Sequence, residues 1–347
     1  MTACSRLLAH RRRRISQPGS TTASLIWPGL NPKEWRSMDD MGRPVLVLGA
    51  TGRHGGTGGI VARALLDAGR SIRVVTRRRD ARVEPLVARG AEVFEADLHD
   101  RVSLLNALDG VETAYFTYPI AGGVIDAAAN FAGAAREAGL KRLVTMSMGP
   151  AHPRSPSHLG RAQWLAEQIF EWAGFDCLHL RIAAAFLENI EMLHGREIAK
   201  EGVIRNAFPD IKVSWILGED AARIAAAAIL APEKFGEGPA IYPGSPYQYT
   251  QSEIAGIVGN FLGKPVRFEA ISVNAWRDRI AVLAQDDDRL NADMASHIST
   301  VAGALHVMPA LPPNDMIEMI TGRAPVNLSD ALETGRFRLV RPQLDSD

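Results

Sequence analysis

Cysteine is nearly absent: Cys4 and Cys177 are the only two among 347 residues. One lies close to the N-terminus and the other inside an apolar segment. This excludes a disulfide framework and points to a reducing compartment, the cytoplasm. There is no excess charge of either sign, because 39 Lys and Arg balance 39 Asp and Glu. Nothing global therefore recruits nucleic acid or an anionic membrane surface. No apolar run approaches the ~20 residues that a membrane-spanning helix needs. The longest, Ile224 to Ala231, is mostly alanine and suits a packed helix. The histidines show no metal spacing: Pro153 and Pro156 break the stretch between His152 and His158, so no metal site is expected.

What is present is alternation. From Pro44 onward, short segments rich in Val and Leu alternate with helix-length amphipathic ones. Strands are expected at 44–49, 71–76, 91–96, 111–117, 141–147 and 176–182. Helices are expected at 59–68, 81–89, 101–108, 123–138 and 158–173. Gly69, Gly90, Gly110, Gly139 and Gly174 stand where these helices would end, as left-handed C-terminal caps. The pattern predicts a doubly wound α/β domain with a parallel sheet covered on both faces, over residues 43–185. The alternation then weakens. Residues 190–215 read as a helix plus irregular structure, 219–231 as an alanine-rich helix and 239–249 as a turn-rich strand region. A helix over 250–263 opens on a Thr250–Glu253 capping box. Residues 186–335 are thus expected to form a smaller α+β substrate subdomain whose segments return to the sheet, with 336–347 as a tail. Residues 1–42 carry Arg11 to Arg14 and no acidic residue before Glu34. They read as a disordered extension or as sequence upstream of a start at Met38 or Met41; an organellar transit peptide is the other reading.

The most specific segment is Val45-Leu-Val-Leu-Gly-Ala-Thr-Gly-Arg-His-Gly-Gly-Thr-Gly-Gly59. A buried strand runs into six glycines within eleven positions, and an amphipathic helix follows at once. That order brings backbone N–H groups and the positive end of a helix against a pyrophosphate. Gly49 makes the exit from the strand, and Gly52 and Gly55 let the backbone approach phosphate. Gly58 or Gly59 allows the helix to pack closely. Thr51 and Arg53 complete the expected lining. The second strand ends at Thr76 and is followed by Arg77, with no carboxylate before Asp80. A guanidinium there suits a 2′-phosphate, so NADP(H) is expected rather than NAD(H). Asp97 and Leu98 close the third strand beside the adenine, and Thr117 and Tyr118 close the fourth. The carboxyl ends of these strands converge on one crevice.

Gly49-Ala-Thr-Gly52, Arg77, Asp97-Leu98, Leu180-Arg181 with Phe186 and Glu188-Asn189, Gly218-Glu-Asp-Ala-Ala222, Thr250-x-x-Glu-Ile-Ala255 and Ile320-Thr-Gly-Arg-Ala-Pro325 together resemble the NmrA-like branch of the atypical short-chain dehydrogenase/reductases. The resemblance covers residues 44 to about 335. It implies a Rossmann fold that binds NADP(H). It also implies one of two roles: reduction of quinones or similar small carbonyl compounds, or non-catalytic sensing of NADP(H) that regulates a protein partner. Two departures stand out. Arg53-His54-Gly55 lengthens the loop by three residues, and Ile182 replaces the proline that usually follows Leu-Arg.

The Tyr-x-x-x-Lys pair of typical short-chain dehydrogenases is missing, with Leu159 and Gln163 at the corresponding positions. That pair supplies the proton for a substrate oxygen. Ser147, His158 and Tyr118 are the remaining candidates for chemistry, with Glu167 expected to orient its helix. Phe186, Asn189, Met192 and Trp215 are expected to wall a small-molecule pocket. The reading carried forward is an NADPH-dependent oxidoreductase, with the sensing role as its alternative. The oligomeric state is left open.

Overall fold

The computed structural model describes residues 42–52, 56–336 and 339. The extension over 1–41, Arg53 and Gly55 of the glycine loop, and most of the expected tail lie outside the described residues. The first half alternates as β1 (Val45–Val47), α1 (Thr57–Asp67), β2 (Ile72–Thr76), α2 (Glu84–Val87), β3 (Glu92–Glu95), α3 (Arg101–Leu108), β4 (Thr113–Phe116), α4 (Val124–Glu137), β5 (Arg142–Met148), α5 (His158–Trp172) and β6 (Asp176–Ile182). The five glycines expected to end helices all have positive φ, between 69° and 94°, so the left-handed caps are present.

One expected helix shrinks. The 81–89 segment is helical only over Glu84–Val87, because the Asp80 carboxylate accepts from the Arg82 backbone N–H and holds a turn ahead of it.

The second half adds β7 (Ala185–Phe186), α6 (Glu188–Glu201), β8 (Val203–Asn206), β9 (Val213–Ile216), α7 (Gly218–Leu230), β10 (Ala240–Ile241), β11 (Gln248–Tyr249), α8 (Gln251–Leu262), β12 (Arg267–Ala270), α9 (Val273–Leu283), α10 (Ala292–Ala304), α11 (Met316–Thr321) and α12 (Leu328–Glu333). The 190–215 stretch is more regular than expected, since it holds two short strands as well as its helix. α8 begins on the expected capping box: Glu253 N–H donates to Thr250 Oγ1 at 3.1 Å, and Thr250 N–H donates to Glu253 Oε2 at 2.8 Å.

The main sheet has seven strands in the order β10-β6-β5-β4-β1-β2-β3, all parallel. β10, from the strand region expected over 239–249, joins the six strands of the first half. The order reverses between β1 and β4, which places the ligand crevice at their carboxyl ends. On one face α3, α4 and α5 bury Leu104, Phe131 and Phe170 against Phe116. On the other, α1 and α7 pack their alanine-rich sides on Val45, Val47, Tyr115 and Val144, together with Ile317 of α11. Two further cores, one around Trp215 and one around Trp276 with Met192 and Met294, fill the second half.

Candidate functional site

The glycine loop is shaped by close backbone approach. Gly49 has φ +71°, and a Cβ there would lie 2.3 Å from Thr117 Cγ2, so the ends of β1 and β4 meet only because the glycine is bare. A Cβ on Gly58 would lie 2.4 Å from the Gly49 carbonyl oxygen. One on Gly59 would lie 2.8 Å from the Ala50 oxygen. Both glycines therefore serve the helix–strand contact that the sequence asked of one. Gly52 N–H donates to Gly49 O at 2.9 Å and closes the first turn. The Thr51 carbonyl accepts from Arg82 at 3.1 Å. α1 starts from Gly56 in the left-handed region with no side-chain cap and no acidic residue in its first turn. Its leading N–H groups thus have no side-chain partner from their own helix, which is the arrangement an anion needs. Tyr115 of β4 donates to Thr57 Oγ1 at 3.1 Å within the core and fixes where α1 begins.

Around this loop the strand ends gather the other expected residues. Arg77 is exposed beyond β2 and has no hydrogen bond or ion pair among the described residues. Its neighbours are engaged: Arg79 with Glu84, and Arg82 with Asp80. Asp97 is half-buried and accepts from His99 N–H at 2.9 Å. Leu98 and Tyr118 pack on the edge of the α3–α5 core. The Tyr118 hydroxyl donates to Gly122 O at 3.1 Å and lies 2.9 Å from His99 Nε2. Burial raises its pKa above the ordinary value; the nearby charges are those of Arg77, which opposes the shift, and of Asp97 and Asp126, which add to it. Tyr118 thus lies with His99, Asp97 and Gly122 at the carboxyl ends of β3 and β4. His99 was missed by the sequence reading, although its place two residues beyond Asp97 puts it on the same strand end.

The candidates for chemistry are differently placed. Ser147 is 6% exposed and donates its proton to Glu167 Oε1 at 2.5 Å. Glu167 is fully buried, and Arg181 holds its other oxygen at 2.5 and 3.0 Å. Burial pushes the Glu167 pKa up, while the guanidinium and the Ser147 hydroxyl pull it back. Ser147 thus has no proton to spare while Glu167 is ionised. His158 opens α5 exposed, with no hydrogen bond among the described residues. Leu159 and Gln163 are both buried. The N-cap of that helix, Ser157, lies 2.6 Å from His297 Nδ1 on α10.

The expected pocket wall divides. Trp215 is 5% exposed within the core under β9 and α8, and Met192 is buried among Trp276, Ile280 and Met294. Both are core residues rather than walls. Ala185 pairs with Trp215 and Phe186 with Ile216, so alternation along β9 turns Trp215 away from the main sheet while Ile216 faces it. Phe186 is half-buried against the main sheet's core. Asn189 is half-buried, with a carbonyl oxygen that has no hydrogen-bond partner. Next to it, Glu188 accepts from Gly218 N–H at 2.9 Å at the start of α7. Asp220 accepts from Leu217 and Val326 N–H groups and pairs with Arg223, which donates to Ala324 O. The segments 218–222 and 320–325, both singled out in the sequence, are thus two halves of one buried joint.

No group of His, Cys, Asp or Glu among the described residues is arranged to hold a metal ion. No helix among them is long and apolar enough to cross a membrane.

A family model described as the NmrA-like family matches residues 41–304. An NAD(P)H azoreductase of Xenophilus azovorans is 28% identical over 282 residues, covering 80% of this chain and 93% of that protein. A (4-alkanoyl-5-oxo-2,5-dihydrofuran-3-yl)methyl phosphate reductase of Streptomyces griseus is 31% identical over 236 residues, 67% of this chain and 79% of that one. Among solved structures, an NADPH-dependent quinone oxidoreductase, QOR2, from Escherichia coli, complexed with NADPH, superposes with a TM-score of 0.72 at 22% identity. It covers 84% of this chain and all of that one.

Proposed function

Because this chain belongs to the NmrA-like family, we propose that it binds NADP(H) in the crevice between β1 and β4 and works as an NADPH-dependent reductase of quinones or similarly conjugated small carbonyl compounds. The observation that carries the first half is the uncapped start of α1 together with the unpartnered Arg77 beyond β2. The bare glycines leave backbone N–H groups open to a pyrophosphate, and the guanidinium is open to a 2′-phosphate. No carboxylate follows β2 in the sequence before Asp80, and Asp80 is paired with Arg82, so the residues present fit the cofactor. The azoreductase and the phosphate reductase support a reductive role.

The choice of substrate follows from what the site lacks. When bound, NADPH supplies a hydride. The chain then has to tolerate the negative charge left on the substrate oxygen. Leu159 and Gln163 provide no acid, and Ser147 already gives its proton to Glu167. A simple aldehyde or ketone becomes a strongly basic alkoxide, which calls for a general acid. A quinone becomes a delocalised, phenolate-like oxyanion that water protonates unaided. With His158 at the exposed start of α5 as the remaining side-chain acid, the loss of the Tyr–Lys pair favours the conjugated class. The same absence favours a second reading, an NADP(H)-responsive regulator that acts through a protein partner without turnover.

The test is NADPH oxidation by purified protein against a panel of quinones, azo dyes and simple aldehydes. Turnover confined to the quinones and azo dyes is expected. Tight NADPH binding without any turnover would leave the regulatory reading, and tighter binding of NADH than of NADPH would sink the cofactor assignment.

A further inference from the structure

We infer that Asp293, on α10 of the C-terminal half, is a positioning residue for the dinucleotide: it fixes Gly122, and through the backbone of that residue the Tyr118 hydroxyl, against the adenosine end of the site. This rests on the NADP(H) reading above and carries it to a residue 171 positions away from the loop it holds.

One residue, Gly122, links the two side chains through its N–H and its carbonyl, which belong to successive peptide units. Gly122 N–H donates to Asp293 Oδ2 at 2.8 Å, and Gly122 O accepts from the Tyr118 hydroxyl at 3.1 Å. A carbonyl only accepts, so Tyr118 spends its one proton there. His99 Nε2, 2.9 Å from the same hydroxyl, must then be the donor to it, which assigns the ring tautomer. Two runs of hydrogen bonds thus meet at Gly122: His99 to Tyr118 to the Gly122 carbonyl on one side, and Gly122 N–H to Asp293 on the other. Two glycines make room for them. A Cβ on Gly123, where φ is +92°, would lie 2.9 Å from both the Tyr118 hydroxyl and His99 Cε1. A Cβ on Gly122 would lie 3.1 Å from Asp293 Oδ2.

Asp293 is exposed, but its helix is anchored around it. Asn291 caps α10 by accepting from Met294 N–H at 2.9 Å, and its amide donates to Ile120 O at 3.1 Å. One turn beyond Asp293, His297 reaches Ser157. α10 therefore bridges the loops that follow β4 and β5. Tyr118 follows Thr117, which meets Gly49 of the glycine loop, and its hydroxyl meets His99, whose N–H donates to Asp97; the far end of the linkage thus lies at the carboxyl ends of β3 and β4, where the resemblance puts the adenosine. A loop with adjacent glycines at 122 and 123 is costly to order on binding; holding it beforehand removes that cost.

The experiment measures NADPH Kd by cofactor fluorescence for the wild type, Asp293→Asn, Asp293→Ala, Tyr118→Phe and the double variant Asp293→Ala/Tyr118→Phe. It also measures hydrogen exchange of residues 117–124 in the cofactor-free proteins. Asn retains a carbonyl acceptor for Gly122 N–H. Asp293→Ala is expected to weaken NADPH binding about 5- to 10-fold, the scale of one ordinary hydrogen bond, because Asp293 is exposed and acts indirectly, and to speed exchange of the loop. Asp293→Asn is expected to stay within about twofold of the wild type, and Asp293→Ala to cost almost nothing more in the Tyr118→Phe background. Unchanged binding in Asp293→Ala, or losses that multiply in the double variant, overturns the positioning role alone. Failure of the wild type to bind NADPH overturns the dinucleotide reading and the positioning role with it.

Discussion

Arg181 on β6 and Glu167 on α5 form an ion pair in which the carboxylate has no solvent exposure. The guanidinium reaches it from Nε and Nη2, and Nη1 goes on to the Tyr242 hydroxyl at 2.7 Å. The pair ties the helix after β5 to the strand that follows, directly under Ser147. Glu167→Ala leaves Arg181 with a charge and no carboxylate. Removal of one partner from a buried pair costs about 3–5 kcal/mol, so the melting temperature is expected to fall by roughly 10 °C. Ser147→Ala removes one hydrogen bond and is expected to cost about 1 kcal/mol. Thermal unfolding of the two variants checks the ranking. Equal losses would show that the pair carries no special weight.

The glycines of the loop and of α8 make a contrast. Alanine at Gly58 sets a methyl group 2.4 Å from Gly49 O and 2.8 Å from Leu48 O, both backbone atoms that cannot turn aside. Gly58→Ala is expected to displace α1, destabilise by about 1–3 kcal/mol and weaken NADPH binding more than tenfold. Gly256 lies exposed within α8, with nothing within 4 Å of a Cβ. Gly256→Ala is expected to stabilise by about 0.5–1 kcal/mol without touching cofactor affinity. Denaturant unfolding and NADPH titration of both proteins decide the matter.

Arg77 separates the two dinucleotides. It is exposed and has no ion pair or hydrogen bond among the described residues, so its removal leaves no buried partner stranded. Arg77→Ala is expected to weaken NADPH binding about 10- to 100-fold, the range for a charge-assisted bond to phosphate, and to leave NADH binding within about twofold. Equal losses for both cofactors would mean that Arg77 acts on the pyrophosphate or the fold instead.

Alternation, glycine caps and the Thr250 box are local signals, and the first six strands follow from them. The seventh strand, β10, falls within the strand region expected over 239–249, but its place in the sheet order does not follow from them. It has two residues, and it belongs to the sheet only because Ala240 pairs with His179 and Ile241 with Leu180. Trp215 misled for a related reason. A tryptophan beside a predicted crevice looks like a wall, but the parity of β9 turns it into the second half's own core. His99, Asp293 and Asn291 belong to contacts between segments distant in sequence, and no periodicity announces such contacts. The joint of Asp220 and Arg223 with 324–326 lies between these cases: both stretches were visible, but their meeting was not.

Proton linkage distinguishes two kinds of buried group. His179, His194 and His297 have pKa values lowered by burial to about 3, 3 and 4, whereas a histidine in the unfolded chain takes its proton near 6.5. Their contribution to stability is complete above the unfolded value and is lost as pH falls through the window from about 6.5 toward 4. Glu188 has the opposite sign. Burial, then the charges of Asp220 and Glu219, raise its pKa to about 7, against the opposing Gly218 N–H bond. Its contribution is present below the ordinary carboxylate range and is lost as pH rises through 7. Between pH 5 and 6 the two effects compete, with each proton worth about 1.4 kcal/mol per pH unit. His297→Asn is expected to flatten the rise of stability with pH across that window by up to one proton. Glu188→Gln is expected to steepen it by up to one proton and to stabilise the protein at pH 8. Urea unfolding at pH 5.0, 5.5 and 6.0 reads the slopes directly. Variants that run parallel to the wild type would show that these groups titrate alike in the folded and unfolded chains.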